Sequence, residues 1–561
     1  MRLDDRRVAV SWRLLADDPP GLRFRVERTP RGLSQPGPDA FDRATFLIDD
    51  AAQAGVAYRY TVTAEGDGVP ALAASGTAEV QADATVRPYL TIPLRTRPGH
   101  APNDASAADL DGDGAIDLVL KQEERPRDNS QSGPTGRTHL EAYRLDGLCL
   151  WRIDLGPNIR EGAHYTPFLV FDLDGDGRAE VACRTADGTI DGAGRVLGDA
   201  KADFRDDRGT VLSGPEFLTV FDGATGRSLA SAPYLPPRGD VKDWGDDRGN
   251  RSDRFLAAVA YLDGERPSLV FCRGYYTRTV LAAWDFHDGR LVPRWVFDSD
   301  STVGGRAYRG QGNHNLAVAD VDGDGRDEVL YGACTIDDDG KGLYSTGLGH
   351  GDAIHVGDLD PARPGFEALA IHERPRHPNG LEFRDARTGE VLWGKHSLDV
   401  GRGLAADIDP RHDGEECWAA GEGLDVLYSC RGEPIGPRPR SCNFAIWWGE
   451  GPRRELLDGT RIIRWDHQAG RETVLLDVAR FGCRSNNGTK ATPCLVADII
   501  GDAREEAVYR SEDGRELRVF IAPGPAPRRV TRWHDPIYRL SVAWQNVGYN
   551  LPTRMSVPES P

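Results

Sequence analysis

Asp320-Val-Asp322-Gly-Asp324-Gly-Arg-Asp327-Glu328, running straight into Val-Leu-Tyr-Gly, is the stretch whose reading decides the fold. Aspartates stand at its first, third and fifth positions, glycine at the sixth and an acid at the ninth. Oxygen ligands at that spacing, with glycine permitting the sharp turn, suit a hard cation such as Ca²⁺. The phrase recurs at Asp109–Asp117 (DLDGDGAID) and Asp172–Glu180 (DLDGDGRAE), and in altered form at Asp358–Glu367, Asp407–Glu416 and Asp498–Glu506. Each copy feeds a short apolar run: LVLK, VACR, VLYG, ALAI, CWAA or AVYR. The ligands expected in the intact copies are Asp109, Asp111, Asp113 and Asp117; Asp172, Asp174, Asp176 and Glu180; and Asp320, Asp322, Asp324 and Glu328. An EF-hand is excluded, because its loop needs a bidentate Glu at the twelfth position. That position is Leu120 in the first copy and Tyr331 in the third.

Working outward, the chain of 561 residues is too long for one ordinary core unless it is a repeat architecture. Its 65 Gly, 37 Pro and 39% apolar content suit many short strands and turns. A repeated phrase of strand, Asp-Gly turn and strand occurs at 140–156, 218–230, 281–298 and 381–395. It reads as the outer hairpin of a β-propeller blade. Helical windows are scarce. Residues 1–86 alternate apolar and polar at period two and predict a small fibronectin type III-like β-sandwich, with a linker from Pro88 to Pro102. Residues 87–561 form the propeller.

The 69 Lys+Arg against 88 Asp+Glu leave a charge of −19, much of it in the acidic loops. That balance argues against nucleic acid or an anionic membrane as partner, and no apolar run is long enough to span one. The opening Met-Arg-Leu-Asp-Asp-Arg-Arg lacks the apolar core of a leader. A secreted protein with its leader missing is expected, or a cytosolic one if the chain is complete. Nine cysteines, irregularly spaced and without a CxxC, are expected to be mostly buried thiols.

Three loops stand out for chemistry: one around Asp128 and Asn129, one from Arg309 to Asn315, and one from Ser485 to Thr492. His314, His350 and Asp352 make a mixed nitrogen and oxygen set for a metal, or two histidines bonded to backbone. Lys490 is one of only six lysines in an arginine-rich chain. An amine can lose a proton where a guanidinium cannot, so Lys490 is a candidate base as well as a candidate surface residue. Arg402, just ahead of an acidic loop, is placed to hold a carboxylate or to pair with Asp399 or Asp407.

Together these phrases resemble the rhamnogalacturonan lyases of polysaccharide lyase family 11. The resemblance is carried by Trp151-Arg-Ile-Asp-Leu-Gly, Gly162-Ala-His-Tyr-Thr, Cys272-Arg-Gly-Tyr-Tyr-Thr-Arg278, Gln311-Gly-Asn-His-Asn315, Thr346-Gly-Leu-Gly-His-Gly-Asp352, Asn486-Asn-Gly-Thr-Lys490 and Ala543-Trp-Gln-Asn-Val-Gly-Tyr-Asn550. It spans roughly 90–552, departing at Cys183, Cys494 and the altered loops at 358 and 407. It implies an all-β, eight-bladed propeller holding several Ca²⁺ ions. The implied reaction is β-elimination in rhamnogalacturonan I of pectin, leaving 4,5-unsaturated galacturonate ends.

Carried over by position, Lys490 and Arg402 are the catalytic pair. Asn129, Asn487, Gly488, Thr489 and Tyr549 hold the sugar, and His314, His350 and Asp352 ligate a calcium near the cleft. Lysine's lower pKa favours Lys490 as base and Arg402 as carboxylate clamp. A monomer is expected. Two other classes compete: a non-catalytic calcium-stiffened carbohydrate-binding or adhesion propeller, and a hydrolase with two carboxylates across the scissile bond.

Overall fold

Short apolar runs separated by Gly/Asp turns pair most readily with their neighbours, and the chain folds largely as a succession of antiparallel meanders. The computed structural model describes residues 2–12, 23–30, 46–65, 75–84, 86–373, 379–449, 451–523 and 531–556. From residue 89 onward, eight antiparallel sheets follow one another along the chain. Each intact acidic phrase is the turn from a first strand to a second: Ala101–Ala108 to Asp117–Glu123, Phe168–Phe171 to Glu180–Ala186, and Gly312–Ala319 to Glu328–Gly332. The altered copies do the same in the fifth, sixth and eighth sheets. The four repeated phrases are the third and fourth strands of sheets one, two, three and five.

One contact fixes every acidic turn. The ninth-position carboxylate folds back and accepts the backbone N–H of the second residue: Asp117 from Leu110 (3.2 Å), Glu180 from Leu173 (2.9 Å) and Glu328 from Val321 (2.8 Å). In the altered loops Glu367, Glu416 and Glu506 each accept two such N–H groups. The turn geometry thus survives where the ligand positions do not.

Successive sheets are stitched at this same end. The N–H groups of Ala179, Asp327, Glu415, Arg454 and Glu505 donate to carbonyls of the preceding sheet at Asp109, Tyr261, Leu359, Asp407 and Trp447. At the outer edge, an aromatic on a fourth strand covers a hairpin glycine of the next sheet. Trp295 donates its indole N–H to the Asp338 carbonyl (2.7 Å) and lies over Gly340, where a Cβ would sit 2.7 Å from the ring. Trp151 and Trp393 repeat this on Gly226 and Gly432. Glycine is required at Gly340 twice over, by the indole and by a backbone φ of 79°.

Two elements differ from the sequence expectation. Residues 89–93, expected within a linker, are a strand of the eighth sheet and pair antiparallel with Glu516–Phe520. The alternation in Tyr-Leu-Thr-Ile-Pro was too short to signal a strand without its distant partner. The second is a helix, Pro536–Trp544, which starts on an Asp535 cap accepting the Tyr538 N–H. It packs against the first strands of sheets one to four and is buried from Leu540 to Trp544. A helix covered on nearly all sides shows little amphipathic pattern.

Ahead of residue 89, the strands form a two-stranded and a three-stranded antiparallel sheet sharing a core of Val8, Val10, Val26, Tyr58, Tyr60 and Val80. Asp49 on the first sheet ties them, bound by Arg28 (2.7 Å) and the Tyr60 hydroxyl (2.6 Å) on the second. All nine cysteines are free and eight are buried. Among the described residues no helix is long and apolar enough to cross a membrane.

The Trp–Gly contact generates a test. Gly340→Ala is expected to destabilise by about 1–3 kcal/mol through overpacking, seen as a lower melting temperature. A melting temperature equal to the parent's would show that the outer edge yields without cost.

Candidate functional site

First strands leave one end of the sheets and arrive at the acidic turns at the other. Side chains just before first strands, or just after second strands, therefore gather at the end opposite the acidic loops. His164 precedes the first strand of sheet two, and His314 lies in that of sheet four. His350 and Asp352 precede sheet five, Arg402 begins sheet six, and Lys490 lies between Cys483–Arg484 and Leu495–Ala497 of sheet eight. Tyr275 and Tyr276 follow the second strand of sheet three, and Tyr549 follows the helix.

Lys490 sits in a single 3-10 turn, Gly488–Lys490, that Asn487 enters at a φ of 59°. Its Nζ donates to Asp352 Oδ2 (2.5 Å) and the Gly401 carbonyl (2.6 Å), and lies 4.3 Å from the centre of the Tyr549 ring. The other face of that environment is His314, which stacks on Tyr549 with centroids 4.3 Å apart. Gly548 allows this approach, since a Cβ there would come within 2.0 Å of the His314 carbonyl. Arg402 is half-buried beside the same group, its guanidinium donating to the Gly401 carbonyl at 2.7 Å.

Burial pushes the Lys490 pKa below that of an ordinary lysine; Asp352 opposes this and Arg402 adds to it. Burial likewise raises the Asp352 carboxyl, against the pull of Lys490, and pushes His350 down to about 3. His314, fully buried, is held well below the usual imidazole range. These two rings are therefore neutral at physiological pH, the state in which imidazole ligates a metal.

His314, His350, Asp352 and Glu373 each place one ligand atom within 4.8 Å of the others. The set fits a divalent cation. His350 Nδ1 is held at 2.6 Å by the Gly312 carbonyl, which turns a buried, unpartnered Nε2 toward the cluster, and Asp352 Oδ1 is also unpartnered. His314 fits less freely: Tyr275 and Tyr276 hydroxyls lie 3.0 and 2.9 Å from its two ring nitrogens. The Tyr276 hydroxyl would have to turn aside for His314 to ligate through Nε2.

In the acidic loops the positions brought together are the first, third and ninth: Asp109, Asp111 and Asp117; Asp172, Asp174 and Glu180; Asp320, Asp322 and Glu328. The fifth-position aspartates fall outside these clusters. Asp113 pairs with Arg144 (2.6 Å), Asp176 pairs with Arg178 (2.7 Å), and Asp324 accepts the Arg326 N–H. Burial, reinforced by neighbouring aspartates, pushes Asp117 up to about 7, Glu180 to about 8 and Glu328 to about 9. Glu328 also keeps a buried Oε1 without a partner. Crowded, desolvated carboxylates of this kind are suited to a cation.

The expected sugar-holding residues divide. Asn487, Gly488 and Tyr549 share the Lys490 environment. The side chain of Thr489 lies outside the described residues. Asn129 is buried, with its amide donated to the Asp253 carbonyl at 2.5 Å. Glu373, His164, Tyr275, Tyr276 and Arg251 were not singled out as site residues from sequence. The paired tyrosines after Gly274 offered a signal; Glu373, a solitary acid after a strand, offered none.

The chain belongs to rhamnogalacturonan lyase family 11: the model of that family's C-terminal domain matches residues 96–558. It is 50% identical to rhamnogalacturonan endolyase YesW of Bacillus subtilis, across 98% of this chain and 88% of the relative. It is 48% identical to rhamnogalacturonan exolyase YesX of the same organism, across 98% and 92%. Among solved structures, a Bacillus licheniformis family 11 lyase superposes with a TM-score of 0.90 at 51% identity, covering 98% of this chain and 94% of that one. The YesX structure gives 0.91 at 47% identity, covering 100% and 96%.

The raised loop acids set a test. Without metal the folded state binds extra protons, so stability is greatest near the ordinary carboxylate range and falls as pH climbs through the elevated values. In chelator, the melting temperature is expected to drop by at least about 2 °C between roughly pH 5 and pH 9. Added calcium should abolish that slope. Parallel slopes with and without calcium would remove the loops from consideration as cation sites.

Proposed function

We propose that this lyase cuts the rhamnogalacturonan I backbone by β-elimination on the C4 side of galacturonate, with Lys490 as base and Arg402 as clamp on the uronate carboxylate. The observation that carries the reading is Lys490 itself. A half-buried amine whose pKa is lowered by burial, set between a carboxylate and a guanidinium, gives up its proton more readily than an ordinary lysine.

The hydrogen on C5 becomes acidic only when charge on the adjacent carboxylate is offset. Arg402 supplies a fixed positive charge for this. Neutral Lys490 takes the C5 proton, the electron pair forms the C4–C5 double bond, and the C4–O bond breaks. The leaving oxygen acquires a proton, so the products are a new hydroxyl end and a 4,5-unsaturated galacturonate end. A calcium held by His350, Asp352 and Glu373 would add positive charge at the same carboxylate. Tyr549, whose ring faces Lys490, and Asn487 and Gly488 on the adjoining turn line the place for the sugar.

We further read the eight sheets as blades of one propeller. Two contacts support its closure: strand 89–93 completes the eighth sheet, and Pro93 packs on the hairpin glycine Gly147 of the first. The two small sheets ahead of residue 89 suit a fibronectin type III-like accessory domain. Secretion and a monomeric state complete the reading. A non-catalytic binding propeller accounts for the acidic loops equally well, but it has no use for a desolvated, pKa-depressed lysine.

Turnover on rhamnogalacturonan I, followed by the ultraviolet absorbance of the unsaturated product, tests the assignment. Lys490→Ala and Lys490→Arg should each lower kcat by more than about 100-fold without altering the melting temperature. For the parent, kcat/KM should rise with pH along a limb whose pKa lies below the roughly 10.4 of free lysine. Near-normal turnover by Lys490→Ala would overturn the assignment.

A further inference from the structure

Asp104 is a fully buried carboxylate on the first strand of sheet one, and the reaction as derived does not use it. Its Oδ1 accepts the Asn487 side-chain amide at 3.0 Å and lies 3.5 Å from that of Asn550. Those residues sit at strategic places: Asn487 opens the turn that carries Lys490, and Asn550 follows Tyr549, whose ring faces the Lys490 amine. The Lys490 N–H in turn donates to the Asn487 carbonyl at 3.1 Å. Asp104 is therefore joined to both walls of the Lys490 environment.

Among the described residues, Lys121 forms a salt bridge to this carboxylate. Lys121, on the adjacent strand and 1% exposed, brings its Nζ to 3.5 Å from Asp104 Oδ2 and 3.6 Å from Glu123 Oε1. The Lys121 ammonium thus lies between two buried carboxylates, and the two Asp104 oxygens have different partners. One faces the lysine and the other faces Asn487. The far side of the turn is tied separately, by Asn443 Nδ2 (2.6 Å) and the Gly459 N–H (3.2 Å) on the Ala491 carbonyl. The loop from Asn486 to Thr492 is thus held between sheets one and seven.

From this geometry we infer that Asp104, held by Lys121, is a positioning residue that acts through Asn487 to fix the backbone turn presenting Lys490 to the sugar. Asn487 stands in the left-handed region at a φ of 59°, which Asn enters more readily than most residues. Its amide bond to the Asp104 carboxylate holds this residue in place at the start of the turn. The inference rests on Lys490 being the base.

A double-mutant cycle on the calcium-loaded enzyme tests it, using Asp104→Ala, Asn487→Ala and the pair, with Lys490→Ala alongside. Each single change is expected to lower kcat/KM by roughly 10- to 100-fold. The pair should be no worse than the weaker single variant, since both break the same link. Asp104→Asn, which keeps an acceptor for Asn487, should recover most of the kcat lost in Asp104→Ala. Additive losses in the cycle, or a kcat in Asp104→Asn as low as in Asp104→Ala, would overturn the inference. Should Asp104→Ala fail to fold, Asp104→Asn and Asn487→Ala still decide it: Asp104→Asn must lose no further kcat/KM when Asn487→Ala is already present. If Lys490→Ala retains turnover, the assignment of the base fails, whereas additivity with an inactive Lys490→Ala removes only the positioning role.

Discussion

The buried carboxylate at the ninth or tenth position, folded back onto the backbone N–H at the start of its own loop, is the interaction on which the rest of the structure depends. It appears in six turns, three with intact ligand spacing and three without. Because it fixes where the first strand ends and the second begins, it also sets the carbonyls and N–H groups that stitch each sheet to the next. In the altered loops, arginines stand beside the acids instead: Arg411 on Asp409 and Arg504 on Asp502. The scaffold needs the turn in every copy; the cluster of free carboxylates is needed only in some.

At the opposite end, no sheet owns the site. Lys490, Asp352, Arg402, His314 and Tyr549 come from separate parts of the chain and meet only because their sheets are held in fixed order. Charge there is arranged by exclusion of water more than by number. A chain with a net charge of −19 gathers Arg251, Arg254, Arg402 and Lys490 on one end, while its acidic loops lie at the other. Three buried guanidiniums, of Arg184, Arg238 and Arg273, converge on the single carboxylate of Glu216 nearby. The cationic groups and the acidic loops thus lie at opposite ends of the sheets.

What the sequence disclosed follows the range of the interactions involved. The acidic turns and the Trp-bearing hairpins are local, set by residues within a dozen positions, and they read correctly. Lys490 drew attention because an amine in an arginine-rich chain is a chemical signal that needs no fold, whereas its contact with Asp352 depends on the fold. The strand 89–93 and the helix 536–544 did not read correctly. The first is defined by a partner over four hundred residues away, and the second is buried too completely to show a polar face. Glu373 and Tyr276 were missed for the same reason: each looks ordinary until sheets three, four and five bring it against His314. The fifth-position aspartates Asp113 and Asp176 show the converse, since a nearby arginine claims each of them.

The pairing of residues 89–93 with 516–520 bears on how the molecule is made. Thr96 bonds to the Gly514 carbonyl across 418 positions of chain, so the eighth sheet gains its last strand only after nearly the whole polypeptide exists. Until then the segment 89–93 waits without a partner, and 516–520 emerges as an open edge with unsatisfied N–H and C=O groups. Closing so long a loop costs entropy that only the completed sheet repays. The same joint binds two segments more than four hundred positions apart into one sheet, so a change in either is felt by the other.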